Sequence, residues 1–203
     1  GQPRYSLRAR NNEFKLEELQ IGIQEAHALG KKLFVASNLM PHNAKVKTYM
    51  ADMEPVIAMK PDALIMADPG LIAMVRERAA EYSIDPARVV AIGFSAGAHA
   101  VAYAALNSNV AARPNFVAPI YGGPFGGIPP IPASDAADKL PPIFLAMAQD
   151  DTLVGDDVRA FYAELWAKGY RPEMHLYMAG GHGFGMNVRQ NTSDRFIDQF
   201  FTW

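Results

Sequence analysis

The chain contains no cysteine. That excludes disulfides, thiolate catalysis and cysteine-ligated zinc or iron–sulfur clusters, and it leaves the redox compartment unread. Neither sign of charge dominates: 19 Lys and Arg stand against 21 Asp and Glu, for a formal net charge of −2 over 203 residues. With no basic block to neutralise a run of phosphates, the expected partners do not include nucleic acid. No apolar run approaches the roughly 18 residues of a membrane span, so no membrane partner is expected. The opening GQPRYSLRAR lacks the apolar stretch of a signal peptide. The expectation is a soluble protein, cytoplasmic by default. No H-x-H or H-E-x-x-H spacing suggests a metal, and no cofactor is called for.

What is present is an alternation of helix and strand. Leu16, Leu19, Ile23 and Ala26 recur at three- and four-residue steps, with Gly30 beyond as a stop. Further helices are expected over 45–60, 71–82, 96–106, 156–168 and 193–201. Apolar runs at 33–38, 63–67, 88–95, 116–122, 142–148 and 173–178 read as strands. Continuous apolar strands separated by helices mean a parallel sheet covered on both faces. The expectation is an α/β chain: one three-layer αβα domain over 1–203, with a mostly parallel sheet of about six strands. The one long irregular stretch, 122–141, is dense in Gly and Pro and is expected to lie over a site rather than in the core.

Gly93-Phe94-Ser95-Ala96-Gly97 fits G-x-S-x-G between a strand and a helix. A serine on so tight a turn is strained, tolerable if the positions two residues either side lack bulk; both are Gly. The turn lifts the hydroxyl above the sheet edge, and the N–H of Ala96 at the helix start is the expected oxyanion donor. Partners should follow in the order acid, then histidine. One strand runs into Gln149-Asp150-Asp151, and the last runs into Gly180-Gly181-His182-Gly183. The catalytic set is therefore Ser95, Asp151 and His182, with Asp150 the second choice for the acid.

Other residues carry blander readings. His27, His42 and His175 look structural, and His99, one turn after Ser95, is either structural or a support for the serine. Tyr121 to Gly127 reads as a pocket-shaping loop, since no helix follows it as a phosphate loop needs. The methionines at 50, 53, 59, 66 and 74 read as core filling.

RAAEYSIDPARVVAIGFSAGAHA, the strand leading into QDDTLV, and GGHGF resemble the back half of an α/β-hydrolase of the acetyl-xylan-esterase/lipase-like group, over about 79–203. In that group the acid stands directly before a D-x-x-V pattern. Asp151-Thr152-Leu153-Val154 fits it, and Asp150-Asp151-Thr152-Leu153 nearly does. GQPRYSLRARNNEF, EAHALGKK, NLMPHNAKVKTY and KPDALIMADPGLIAMVRE resemble instead an internal piece of the U32 peptidase-like family, (βα)-barrel proteins linked to collagenase-type peptidase annotation and RNA hydroxylation. That resemblance covers about 1–78, so the chain reads as a chimera joined within Met74 to Ala79.

The resemblance implies a serine carboxylic-ester hydrolase working through an acyl-enzyme on a small-molecule ester with a short acyl group. Its activity is expected to be weak, because no HGGG-like loop precedes Ser95 to supply a second oxyanion donor. The alternative is a folded chimera with a vestigial triad. A sheet drawn from two parents has no evolved edge protection, so self-association into a homo-oligomer is also expected.

Overall fold

The computed structural model describes residues 5–6, 14–38, 43–66, 68–107, 109–110 and 113–203. His42 and the break around it lie outside them. The fold is α/β, and the chain falls into two compact units, Gly1–Pro86 and Ala87–Trp203. Among the described residues the strands form two sheets, of two and four members, where one sheet of about six was expected.

In the first unit, α1 (Leu16–Ala28), β1 (Phe34–Ser37), α2 (Asn43–Ala58), β2 (Ala63–Met66), α3 (Pro69–Glu77) and α4 (Ala79–Tyr82) follow one another. The last two replace a single expected helix, because Arg78 between them leaves helical geometry at φ −101° and ψ 17°. β1 and β2 pair in parallel, Phe34 opposite Ala63 through Ser37 opposite Met66. Leu19 and Ile23 of α1 pack with Val35, Tyr49, Met53 and Leu71 into one buried cluster. Ser37 Oγ and Tyr49 Oη lie 3.0 Å apart within it, and the Tyr5 hydroxyl donates to Asp52.

Asp62, just before β2, ties down the end of α1 and the entry to β1. Its Oδ2 accepts from the Leu33 N–H at 2.8 Å and meets His27 Nε2 at 3.0 Å. The Leu33 N–H first, then His27, lower its carboxyl below the usual range. A depressed folded value stabilises above the unfolded value of about 3.9 and is lost as pH falls through the folded one. Acid titration of Asp62→Asn followed by circular dichroism should show a smaller loss of stability below about pH 4 than the parent shows.

The second unit holds β3 (Val90–Phe94), α5 (Ala96–Asn107), β4 (Phe116–Ile120), β5 (Phe144–Ala148), α6 (Gly155–Ala167), β6 (Glu173–Tyr177), a 3₁₀ turn (Thr192–Arg195) and α7 (Phe196–Thr202). The sheet order is β3-β4-β5-β6, all parallel. Every residue of β5 is buried, as an apolar central strand demands. Its alternate side chains feed opposite faces. Phe144, Ala146 and Ala148 pack with Phe196 and Phe200 of α7, and Leu145 packs with Ala102 and Leu106 of α5 and Phe161 and Leu165 of α6. That makes three layers.

Phe144 is fully buried, its ring tilted against His175 and Trp203 and edge-on to Phe200 at 5.1–5.6 Å. Phe144→Ala should therefore lower the unfolding free energy by about 3–5 kcal/mol in a urea titration. The Gly- and Pro-rich stretch is irregular, as expected, and begins with Gly122 against Ser95. Most of its residues are partly or fully exposed, but Ile131 and Leu140 are buried in the same cluster as Leu145 and anchor it to the core. An open pocket of about 530 Å³ lies where Ile128, Pro130 and Ile131 face Asp157 and Glu164 of α6 and Lys168 just after it. No described helix is long and apolar enough to cross a membrane.

Candidate active site

Ser95 stands between the last residue of β3 and the first of α5, at φ 54°. For a residue with a side chain that is the sparsely populated left-handed region, which costs of order 1–3 kcal/mol and persists only when neighbours enforce it. Three hydrogen bonds do so. The Ser95 N–H donates to Ile120 O at 3.1 Å, and Ser95 O accepts from the N–H groups of Ala98 and His99 at 2.9 and 3.3 Å.

The glycines that permit the turn are not the pair expected. A Cβ on Gly93 would meet Gly97 O at 2.1 Å, but a Cβ on Gly97 would find nothing within 4 Å. The second position that must lack bulk is Gly122, where a Cβ would lie 2.8 Å from both Ser95 O and the Ala98 methyl. It belongs to the loop after β4, which no local motif around the serine includes.

Three predicted groups meet in the second unit. Ser95 Oγ lies 2.7 Å from His182 Nε2, and His182 Nδ1 lies 2.9 Å from Asp151 Oδ2. The Asp151 side chain is wholly buried and the His182 side chain is 26% exposed, so the relay runs from interior to surface. Asp151 Oδ1 accepts from the N–H groups of Leu153 and Val154 at 3.0 and 3.3 Å. An ionised carboxylate only accepts, so the proton on His182 sits on Nδ1 and the Nε2 lone pair faces the serine. A hydroxyl so placed can pass its proton to Nε2 as it attacks. Ala96 opens α5, where the first N–H groups of any helix lack an intrahelical acceptor.

Asp150, the second choice for the acid, points elsewhere. Its carboxylate accepts from the N–H of Gly181 at 2.8 Å and of Gly180 at 3.3 Å, on the loop that carries His182. The Gly181 N–H foremost holds this carboxyl below the usual range.

Two further residues border the relay. Tyr121, directly after β4 and also at positive φ (39°), sets its ring edge-on to His182 at 5.3 Å and to Phe184 at 4.7 Å. Burial raises its hydroxyl above the ordinary value, opposed by the Gly185 N–H, so it is a neutral wall. Its place at the same sheet edge as Ser95 was the available signal. His99 Nδ1 accepts the Phe125 N–H at 2.9 Å, which puts its proton on Nε2, and its ring stacks on Phe125 at 4.9 Å. Thus His99 supports the loop beside the serine. His27 and His175 meet Asp62 and Glu173 instead. Among the described residues no group of three or more His, Asp and Glu is placed to hold a metal ion.

The profile of peptidase family U32 matches residues 1–114, more than half of the chain. The chain belongs to peptidase family U32. The match reaches past residue 78, the limit of the resemblance read from the sequence, and takes in β3, Ser95 and α5. The chain is 66% identical over 84 residues to tRNA hydroxylation protein P of Escherichia coli strain K12, covering 41% of this U32 chain and 18% of that protein. It is 68% identical over 77 residues to the protein of that name from Haemophilus influenzae, covering 38% and 17%. The chain thus spans under a fifth of the length of these curated relatives.

Among solved structures it resembles MGS-M1, an α/β hydrolase from a Medee basin deep-sea metagenome library. The TM-score is 0.53 at 18% identity, over 89% of this chain and 86% of that one. A likeness at that identity speaks for the fold alone. The expected function, a carboxylic-ester hydrolase for short acyl esters, is therefore corrected: the curated relatives are tRNA hydroxylation proteins of the U32 family, and none is an esterase.

Proposed function

We propose that the second unit is a serine-nucleophile hydrolase centre, with Ser95 as nucleophile, His182 as general base and then acid, and Asp151 as the group that orients the imidazole. The unbroken hydrogen-bonded chain from Ser95 Oγ through His182 to the buried Asp151 carries this reading. Ser95 Oγ attacks an electrophilic carbon or phosphorus centre and its proton moves to His182 Nε2. The departing group takes that proton, and a water deprotonated by His182 then releases the serine adduct. The Ala96 N–H, at the positive end of α5, donates to the oxygen that gains charge. The relay needs no cofactor.

The test is labelling with a fluorophosphonate probe, followed by peptide mass spectrometry. Ser95 should carry the adduct, and His182→Ala should abolish it. No adduct on Ser95 after long exposure at high probe concentration removes the reading.

We also read the chain as a chimera, with a U32 piece ahead of a hydrolase half. The 66% identity to a tRNA hydroxylation protein favours a second reading for the first unit, as part of an RNA-modification protein. A gel shift with tRNA at moderate salt decides it: a retarded complex supports that reading, and free tRNA at micromolar protein removes it.

A further inference from the structure

The loop that presents His182 is built from residues with little to hold them still. Gly180, Gly181 and Gly183 all take positive φ, at 156°, 61° and 78°. Glycine backbones lose the most conformational freedom on folding, so such a loop is the costliest place to fix a side chain. Packing does not fix it throughout: a Cβ would find nothing within 4 Å at Gly181 or Gly183. Hydrogen bonds do. Gly180 and Gly181 each donate to a different oxygen of the Asp150 carboxylate, and Arg189 Nη1 reaches Gly180 O at 3.4 Å. The preceding residue adds to the tie, since the Gln149 N–H donates to Tyr177 O at 2.7 Å at the end of β6.

Asp150 and Asp151 are adjacent on the turn after β5, yet they hold different parts of the same segment. Asp151 holds the imidazole, and Asp150 holds the backbone of the two residues before it. We propose that Asp150 is a positioning residue that fixes the Gly180–Gly181 backbone and so keeps His182 on Asp151 and within reach of Ser95. This rests on the reading of Ser95, His182 and Asp151 as the working centre. A charged acceptor on two N–H donors is the stronger kind of hydrogen bond. Even a displacement of about 1 Å at a reacting group can cost about 10²-fold in rate.

The experiment compares wild type, Asp150→Ala, Asp150→Asn and Asp151→Asn with two readouts. One is the rate of Ser95 phosphonylation. The other, independent of reactivity, is the far-downfield proton resonance of a His182 Nδ1–H bonded to a carboxylate; thermal melts check folding. Asp150→Ala should lose most of that resonance and phosphonylate about 10²-fold more slowly. Asp150→Asn keeps one acceptor, so it should keep most of the resonance and phosphonylate roughly three- to tenfold more slowly.

A folded Asp150→Ala with the wild-type rate and full resonance overturns the proposal. Should Asp150→Ala fail to fold, Asp150→Asn decides alone, and an unchanged rate with an unchanged resonance overturns it. If the wild type shows the resonance yet Ser95 is never labelled, the serine reading fails, and the positioning claim stands or falls on the variant spectra. A wild type with no such resonance overturns both.

Discussion

Gly93→Ala should strongly destabilise the second unit, whereas Gly97→Ala should leave it intact, although both residues occupy the same sequence motif. The new Cβ at position 93 would lie 2.1 Å from Gly97 O, 2.4 Å from Gly97 C and 2.8 Å from Ala98 N. All three are backbone atoms in the first turn of α5, so no side chain can swing aside. Relief requires opening that turn, which also carries the Ser95 O bonds to the Ala98 and His99 N–H groups. Ordinary overpacking costs about 1–3 kcal/mol and occasionally more. A rigid backbone clash puts this case at the upper end, about 3 kcal/mol or beyond. Gly97→Ala meets open space and replaces a helical glycine by the best helix former, for a change within about 1 kcal/mol. Urea titration of the two variants separates them. Equal stability would mean that the β3–α5 turn is looser than its hydrogen bonds imply.

How much of this was legible in the sequence depends on how local the cause was. The strand-turn-helix around Ser95 was readable because apolar period, glycine and helix start lie within a dozen residues. So was the convergence of Asp151 and His182 on one sheet edge, since parallel strands put all their C-terminal ends on the same side. The division of labour between Asp150 and Asp151 was not. Both follow β5 and differ only in which way a turn points them, and the Gly180 and Gly181 donors lie some thirty positions later.

The same holds for Gly122, whose requirement comes from a helix and a serine more than twenty residues earlier. The 122–141 stretch was legible as loop from its Gly and Pro density, but not the two anchors within it, Ile131 and Leu140, which pack in the cluster of Leu145. In the first unit Asp62 was invisible as a clamp, because its donors come from α1 and the residue before β1.

Asp151→Asn should slow phosphonylation of Ser95 by about 10⁴-fold while leaving the fold nearly unchanged. The asparagine is almost isosteric, and its one carbonyl oxygen can still accept from Leu153 and Val154 N–H, as Asp151 Oδ1 does. The amide group then faces His182 Nδ1 in place of Oδ2. An N–H donor there pulls the imidazole into the other tautomer, with its proton on Nε2, and that nitrogen no longer accepts from Ser95 Oγ–H. The serine keeps its position 2.7 Å away but loses its base. Asp151→Ala differs in kind: it strips the acceptor from two N–H groups at a buried position, costing about 1–3 kcal/mol of stability as well as the rate. Phosphonylation rates and melts of Asp151→Asn, Asp151→Ala and Asp150→Asn therefore form one set. If Asp151→Asn reacted as fast as Asp150→Asn, the buried carboxylate would not be orienting the imidazole, and the chain from Ser95 to Asp151 would be a structural contact alone.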